Sequence, residues 1–387
     1  MPSNLFFRAT ATPLAILSLA AFTATSQPAF AQPASDDAVC ADAAAKPENR
    51  IKSCSALIKA KTAGANPAKL LTQRGIAYYE NGDYKRSIAD HSEVIRLNPK
   101  DAAAYDNRGN AYRRNGEDDE AIVDYDKAIA LDPKFVHAYV ARGDSYNNKG
   151  DFDRAIAESN KAIAIDPKFP NSYAIRGAAY LDKKDYARAI ADFDAALKLK
   201  PDYSYALYQR GTAYERTDKP DRALADYNET IKVDAESLEG HQSRGILKMY
   251  GGQPADAIAD LKRASELSPK DSYSAIWYDL ALRRNGQKGS LARARSKLDR
   301  VAWPAPLVRL MLNEIKPARA LQLAKRGDAN TAKDQTCEVT YYIAEIDWLK
   351  GQKDKARDGY RATRNLCRVS FFEHSAASAA LRALGEK

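Results

Sequence analysis

The chemistry-bearing side chains of this 387-residue chain follow a fixed spacing. An arginine, always followed by glycine, stands sixteen positions before an acidic residue, six times along the chain. The six pairs are Arg74/Asp90, Arg108/Asp124, Arg142/Glu158, Arg176/Asp192, Arg210/Asp226 and Arg244/Asp260. A row of guanidinium groups could bind anions, whereas guanidinium–carboxylate pairs could fix the register of packed helices. We favour the structural interpretation because every arginine has its own acid.

No constellation typical of catalysis accompanies these pairs. The four histidines, His91, His137, His241 and His374, are far apart in sequence, and His91 replaces an aromatic residue, which predicts core packing. The motifs GxSxG and HExxH and a phosphate-binding glycine loop do not occur. The acidic residues occupy positions of the repeat, and they form no isolated pair of carboxylates that would suit general acid–base catalysis. The sequence therefore predicts a protein that is not an enzyme, with no cofactor and no metal.

Four cysteines carry the remaining chemistry. Cys40 and Cys54 are placed symmetrically about Pro47, which is expected to turn the chain between two helices. Cys337 and Cys367 are placed in the same way about a turn at Gln352. Three pairings are possible, and locality favours Cys40–Cys54 with Cys337–Cys367. A zinc site is disfavoured because CxxC spacing and a histidine cluster are both absent.

Residues 1–31 have the pattern of a secretory signal peptide. Arg8 is their only charged residue, an apolar stretch follows it, and Ala29-Phe30-Ala31 places small residues at a cleavage site. The apolar stretch is shorter than the roughly 20 residues that span a bilayer, although an uncleaved anchor is the alternative. We expect cleavage after Ala31 and a periplasmic protein without a transmembrane segment. That compartment agrees with disulfides and makes nucleic acid an unexpected partner.

Repeated helix pairs must position these residues. The Arg-Gly dipeptide recurs every 34 residues, tyrosine follows three residues after the first five glycines, and proline closes most units. Each unit contains two apolar-periodic stretches of about 12–14 residues, as amphipathic helices require. The pattern resembles the tetratricopeptide-repeat (TPR) family. That resemblance implies an all-α superhelical solenoid of stacked antiparallel helix pairs with helical caps.

The repeat boundaries predict the organisation of the chain. An N-terminal capping hairpin at 32–67 follows the signal peptide at 1–31. Six TPR units span 68–271, at 68–101, 102–135, 136–169, 170–203, 204–237 and 238–271. A degenerate basic helical region covers 272–335, and a C-terminal TPR-like hairpin with a capping helix covers 336–387.

The C-terminal part has a more specific resemblance. It is similar to NlpI-type periplasmic TPR lipoproteins at Trp277-Tyr278-Asp279-Leu280-Ala281, Trp303-Pro304-Ala305-Pro306-Leu307-Val308, Glu338-Val339-Thr340-Tyr341-Tyr342-Ile343-Ala344 and Phe372-Glu373-His374 with Ala376 and Leu381. The resemblance implies an adaptor that presents clients to a periplasmic protease and helps to control peptidoglycan hydrolases. This chain departs from those proteins because no cysteine lies in a lipid-attachment context.

The TPR resemblance also implies a partner-binding groove. The first helix of each unit lines the concave face, at positions one, four, eight and eleven after the start of the unit. Those positions give Asp106, Asn110, Arg113, His137, Asp144, Asn147, Asn171, Tyr205, Tyr208, Thr212 and Glu215. Polar groups that bond a peptide backbone, beside two tyrosines, suit an extended or helical peptide. Solvated helix surface is the alternative.

A second candidate surface lies in the basic region. Residues 272–334 hold thirteen Lys/Arg against five Asp/Glu. A cationic stripe at helical spacing consists of Arg293, Lys297 and Arg300, with Arg283, Arg284 and Arg295 nearby. An apolar stripe, expected to pack on the array, consists of Leu291, Ala294, Leu298 and Val301. The cationic face is expected either to bind an acidic surface or to be solvated without a specific role.

Two classes of function remain. The first is a non-enzymatic periplasmic scaffold or adaptor that binds protein or peptide partners of the envelope through the concave face. The second is a binder of anionic envelope polymer or lipid that uses the basic region. A homodimer is compatible with either class.

Overall fold

The computed structural model describes residues 35–60, 66–368 and 371–386. In those ranges all regular elements are helices and no strand occurs. The described residues form two compact units, one ending at Lys183 and one beginning at Lys184. The predicted signal peptide lies outside these ranges. No helix in them combines the length and apolar character needed to cross a bilayer.

The first unit is a stack of helix pairs in which consecutive helices pack on each other. Its helices are α1 (Asp36–Ala41), α2 (Pro47–Ala60), α3 (Pro67–Glu80), α4 (Tyr84–Leu97), α5 (Ala102–Arg114), α6 (Asp118–Leu131), α7 (Val136–Asn148), α8 (Phe152–Ile165) and α9 (Pro170–Asp182). The first helices of successive repeats also touch, since α3 contacts α5, α5 contacts α7 and α7 contacts α9. The stack therefore places groove positions of different repeats side by side.

The second unit begins with the same pairing and then becomes irregular. Its regular helices are α10 (Tyr186–Leu199), α11 (Ser204–Arg216), α12 (Pro220–Val233), α13 (Leu238–Tyr250), α14 (Pro254–Leu267) and α15 (Ser272–Arg284). The remaining helices are α16 (Leu291–Ala294), α17 (Ala305–Met311), α18 (Pro317–Ala324), α19 (Ala329–Leu349), α20 (Lys353–Leu366) and α21 (Phe372–Ala383). The last helix, α21, packs on α20, α19 and α13.

Turn chemistry explains where the helices of a repeat begin and end. Gly82 and Gly150 adopt φ values of 76° between the paired helices, a conformation that glycine reaches without strain. Asp83 and Asp151 then cap the second helices, and their side chains accept the backbone N–H of the residue three positions on, at 3.1 and 3.2 Å. The Gly-Asp dipeptide thus sets the hairpin geometry.

Both predicted disulfides are confirmed. Cys40 in α1 is bonded to Cys54 in α2, with Cα atoms 4.9 Å apart. Cys337 in α19 is bonded to Cys367 at the end of α20, with Cα atoms 5.0 Å apart. Each bond joins the two helices of one hairpin, as the placement about a turn predicts.

The aromatic residues of the C-terminal part form one core. Trp277, Tyr341, Tyr342 and Tyr360 are all fully buried, and their rings contact one another. Glu345 is buried among them and accepts two hydrogen bonds from Arg284, both 2.8 Å long. The residues that carry the second resemblance therefore build a packed core.

Candidate partner-binding surface

The arginine–acid pairs connect the two helices of each repeat. Arg74 reaches Asp90 through two hydrogen bonds of 2.7 Å, and Arg108 binds Asp124 in the same way. The same contact occurs at Arg142/Glu158, Arg210/Asp226 and Arg244/Asp260. The sixth pair, Arg176/Asp192, has one residue in each compact unit and is not described. At five positions the prediction of an ion pair is confirmed.

Each arginine also has a partner that sequence analysis missed. Its remaining amino group, Nη1, extends to the second helix of the preceding helix pair. Arg108 donates to Ser92 at 3.1 Å, Arg176 to Asn160 at 2.6 Å and Arg210 to Asp194 at 2.6 Å. The signal was a serine, aspartate or asparagine sixteen residues before each of these arginines. Because both ends of the Arg108 and Arg210 guanidinium groups are engaged, the anion-binding interpretation loses its support there.

The α5 part of the groove consists of linked polar side chains. Asn110 donates its amide N–H to Asp106 at 3.1 Å and accepts the hydroxyl of Tyr125 at 3.0 Å. Tyr125 is fully buried in α6, so it anchors Asn110 from beneath the surface. Asp106 is 7% exposed, and its Oδ1 has no hydrogen-bond partner in the described ranges. Burial raises the pKa of the Asp106 carboxyl to about 6, against a weaker opposing effect of Asn110 and Arg113.

Two contacts join this region to the neighbouring first helices. Arg113 in α5 forms an ion pair of 2.5 Å with Asp144 in α7. Burial lowers the pKa of Arg113, but Asp144, Tyr125 and Tyr79 outweigh it and raise that pKa overall. Asn147 in α7 donates to the backbone carbonyl of Ile175 in α9 at 3.1 Å. Polar groove residues of α5 and α7 are therefore fixed in place.

Aromatic rings flank the same face. The imidazole ring of His137 packs edge-on against Phe169, with ring centroids 4.7 Å apart, and lies 6.1 Å from Phe135. Asn171 is half-buried in the first turn of α9. The face thus combines a polar centre with an aromatic margin, a composition typical of protein interfaces.

The groove residues predicted on α11 lie in the second unit. Glu215 accepts the hydroxyl of Tyr227 at 2.9 Å, and the ring of Tyr208 lies 5.9 Å from that of Tyr227. Burial, reinforced by Glu239, raises the pKa of Tyr208 to about 12. Thr212 donates its hydroxyl to the Tyr208 carbonyl, and Tyr205 accepts from Gln209 at 3.3 Å. All four predicted residues are half-buried.

The basic region differs from the prediction. Its helix α16 ends at Ala294, and further along the chain the backbone N–H groups of Val301 and Ala302 donate to the Asp299 carboxylate, at 2.7 and 2.9 Å. Leu291 and Leu298 are buried as expected, but Val301 is 90% exposed, so the predicted apolar stripe is wrong there.

The nearby arginines also change the expected charge of this region. Arg284 is buried against Glu345, Arg283 pairs with Asp279 at 2.7 Å and Arg295 pairs with Glu314 at 3.2 Å. The predicted cationic stripe, by contrast, is exposed. Arg293, Lys297 and Arg300 have no ion-pair partner within the described ranges. The unneutralised positive charge is therefore smaller than the composition of the region indicates.

Stacked helix pairs with a polar face on their first helices define a helical-repeat protein, a class that presents an extended surface. A family model described as TPR repeat matches residues 75–116, 109–150 and 143–184, and one described as tetratricopeptide repeat matches residues 176–236. Residues 75–236 of the chain therefore carry TPR repeats. TPR proteins in general mediate protein–protein interactions as scaffolds and are in general non-catalytic.

Several solved structures resemble parts of the chain. MamA is 28% identical, with 41% of this chain and 93% of that chain covered and a TM-score of 0.36. A thermophilic TPR protein of Thermus thermophilus is 20% identical, with 47% and 98% covered and a TM-score of 0.43. The C-terminal part of a TPR protein of Cytophaga hutchinsonii is 23% identical, with 60% and 94% covered and a TM-score of 0.37. No curated protein sequence matches the chain significantly.

Proposed function

We propose that this protein is a non-enzymatic periplasmic scaffold whose first unit binds a peptide segment of a partner protein across the first-helix face of α5, α7 and α9. The observation that carries the proposal is the polar row on that face, which Tyr125, Asp144 and Ile175 hold in fixed orientations. Pre-oriented polar groups lose little conformational freedom when a partner binds. The periplasmic location rests on the signal-peptide pattern and agrees with the two disulfides.

The face has the chemistry to bind a peptide main chain. Asn147 Oδ1 and Asp106 Oδ1 are acceptors without a partner in the described ranges, and Asn171 adds an amide at the edge. A peptide supplies one N–H donor per residue, so a small shift of these side chains would satisfy both acceptors. Asp106 also costs stability, since its carboxylate is buried and forms no ion pair within the described ranges. Retention of such a group is more usual in a binding site than in a purely structural helix.

A second candidate function is favoured by one observation. Arg293, Lys297 and Arg300 are exposed and unneutralised among the described residues, which fits electrostatic attraction to an anionic envelope polymer or lipid. If this surface binds such a ligand, reversal of the three charges to glutamate should weaken capture at low salt and leave the fold unchanged.

Site-specific crosslinking tests the main proposal. A photo-crosslinking amino acid replaces Asn171 on the proposed face, and in a matched chain it replaces Val123, which is 58% exposed on the second helix α6. We expect a discrete adduct with an envelope protein from position 171 and none from position 123. That adduct should disappear in the Arg113→Ala/Asp144→Ala chain, because the ion pair that positions α5 against α7 is lost. Identical adducts from both positions would contradict the proposal.

A further inference from the structure

The first-helix face of α13 is covered, unlike that of its neighbour α11. The groove positions of α13 are Glu239, Gln242, Ile246 and Met249, and all four are buried at 4–8% exposure. The corresponding residues of α11 are half-buried. Another part of the second unit therefore lies where a partner would bind.

Helix α21 contributes to the cover of α13. The two helices pack against each other, and Ile246 and Met249 belong to the same apolar cluster as Ala376, Ala380 and Leu381. The buried face of α21 is lined mainly by alanine, at positions 376, 377, 379 and 380. Small side chains permit close approach of two helices but bury little apolar area, so each contributes a modest stabilisation. The contact is therefore close without being strong.

Packing is incomplete at the C-terminal end of α21. A cavity of about 320 Å³ separates it from the start of α12 and the end of α13, with Leu224, Leu247 and Ala379 in its lining. Two polar contacts hold α21 to the α11 end of the array. Arg216 donates to the Ser375 hydroxyl, and Arg382 pairs with Asp218 at 3.0 Å, where the side chains are 34% and 67% exposed. An ion pair this exposed to water stabilises docking only slightly.

A buried acid near the start of α21 opposes the docking of this helix. Glu373 is buried at 4% exposure, close to the buried carboxyl of Glu338 on α19. Tyr342 donates to Glu373 at 3.0 Å, while Tyr273 and Trp303 each donate to Glu338 at 2.8 Å. No lysine or arginine pairs with either acid in the described ranges. Two neighbouring buried carboxyls without a cation oppose the docking of α21.

We propose that the first-helix face of α13 is a helix-binding site, that α21 occupies it within the chain, and that an amphipathic helix of another protein with a row of small side chains displaces α21. The partner helix needs small residues because α21 approaches α13 through alanine. A basic residue at its C-terminal end would meet Asp218 as Arg382 does. A hydroxyl at its other end would accept from Arg216 as Ser375 does. The inference goes beyond the proposed function, because it concerns α13 rather than the face of α5, α7 and α9.

A peptide with the sequence of residues 371–386, labelled with a fluorophore, serves as the probe. Its binding is measured by fluorescence anisotropy to three full chains: wild type, Ala380→Glu and Ser378→Glu. Ala380 is 4% exposed, so a glutamate there should expel α21, whereas Ser378 is half-buried and tolerates the same charge. We expect the Ala380→Glu chain to bind the peptide at least tenfold more tightly than the other two, since no internal helix competes. A peptide that carries the same Ala→Glu change should bind none of them.

A second measurement does not depend on any variant. In hydrogen exchange of the wild-type chain, saturating peptide should accelerate exchange of α21 amides and leave α13 protected. Absence of peptide binding by a folded Ala380→Glu chain, with its fold checked by circular dichroism, would overturn the proposal, as would unchanged α21 exchange. A wild-type dimer that Ala380→Glu dissociates would assign the face to a second copy instead and would also overturn it. The probe reports on α13 alone, so its failure is distinct from failure of crosslinking at Asn171.

Discussion

The glycine after each repeat arginine determines how close the second helix can lie. A Cβ atom added to Gly109 would lie 2.7 Å from the Tyr125 ring, and one added to Gly211 would lie 2.7 Å from the Tyr227 ring. Gly143 differs, because Ser159 occupies the place of the large side chain and the nearest atom would be 3.4 Å away. Glycine is therefore required after the arginine in the repeats with Tyr125 and Tyr227, whereas a larger residue fits at Gly143.

This difference predicts opposite effects of one substitution. Gly109→Ala should lower the free energy of unfolding by roughly 1–3 kcal/mol, because the methyl group overpacks against Tyr125. Gly143→Ala should raise it by up to about 1 kcal/mol, because alanine favours the helix and finds room. Thermal and urea unfolding of the two variants beside wild type provides the measurement. Equal losses at both positions would show that the Tyr125 contact is not the cause.

His91 occupies the corresponding large-residue position of the first repeat. It is 1% exposed and its ring lies against Gly75, which confirms the predicted core packing. Burial, and to a smaller extent Arg108, lowers the pKa of His91 to about 4. The folded state therefore holds His91 neutral at a pH where the unfolded chain binds a proton.

Acid should therefore destabilise the fold through His91. Between pH 6.5 and 4 the unfolded state binds more protons at this position, so stability falls as the pH falls, by on the order of 3 kcal/mol in all. His91→Phe, which copies Phe193 of the fourth repeat, should remove this component. Urea unfolding at pH 7.5 and pH 5 compares the two chains. If the substitution leaves the difference between the two pH values unchanged, the neutral-histidine account is wrong.

At the scale of elements, α19 carries two buried carboxyls with opposite surroundings. Glu345 is paired with Arg284, and although burial opposes ionisation, this arginine holds the pKa of Glu345 below its usual value. Glu338 faces Glu373 of α21, and burial together with Glu373 raises the pKa of Glu338 to about 8. Burial also raises the pKa of Glu373. We therefore expect the contact between α19 and α21 to depend on pH.

The docking of α21 should weaken as the pH rises from about 5 to about 8, because the docked state binds more protons on Glu338 and Glu373 than the released state. The hydrogen bonds from Tyr273 and Trp303 lower the pKa of Glu338, whereas the charge of Asp334 raises it. Burial, together with Arg216, Arg364 and Lys184, lowers the pKa of His374 to about 4, so this residue affects docking at the acid end of the pH range. Hydrogen exchange of α21 amides across this range, corrected for intrinsic rates, measures the effect.

Substitutions on α19 separate this effect from general instability. Glu338→Gln should flatten the pH dependence of α21 exchange above pH 5 while retaining an acceptor for Tyr273 and Trp303. Glu345→Gln should instead destabilise the core at every pH, because Arg284 loses its counter-charge. A steep alkaline loss that persists in the Glu338→Gln chain would contradict the assignment.

At the scale of the whole molecule, sequence alone predicts what each repeat contains within itself. The 34-residue spacing locates the helix pairs, and placement about a turn identifies both the arginine–acid pairs and the disulfides. Such contacts lie within one hairpin, so their distance along the chain determines their distance in space. The groove positions follow from the same repeat, although their role in binding stays a prediction.

Contacts between different parts of the fold are not encoded in this way. Nothing in the spacing relates α21 to α13, because the two helices are more than one hundred residues apart and meet through alanine, which occurs throughout the chain. In the basic region, periodicity predicts a helix to residue 301, but α16 ends at Ala294 and Asp299 makes a turn with the backbone of Val301 and Ala302. A short polar side chain that bonds its own backbone overrides such a pattern.

The two-sided contact of each arginine has a consequence for how such a protein changes length during evolution. Each of the first five units carries the arginine that reaches backward and also the side chain that receives the next arginine, such as Asn160 for Arg176. A duplicated unit would therefore meet both neighbours with matching chemistry, and no new interface would have to arise by mutation. Gene segments of 34 codons can be gained or lost in frame while the joints stay compatible. The array is in this sense made of interchangeable modules, whose number natural selection can change.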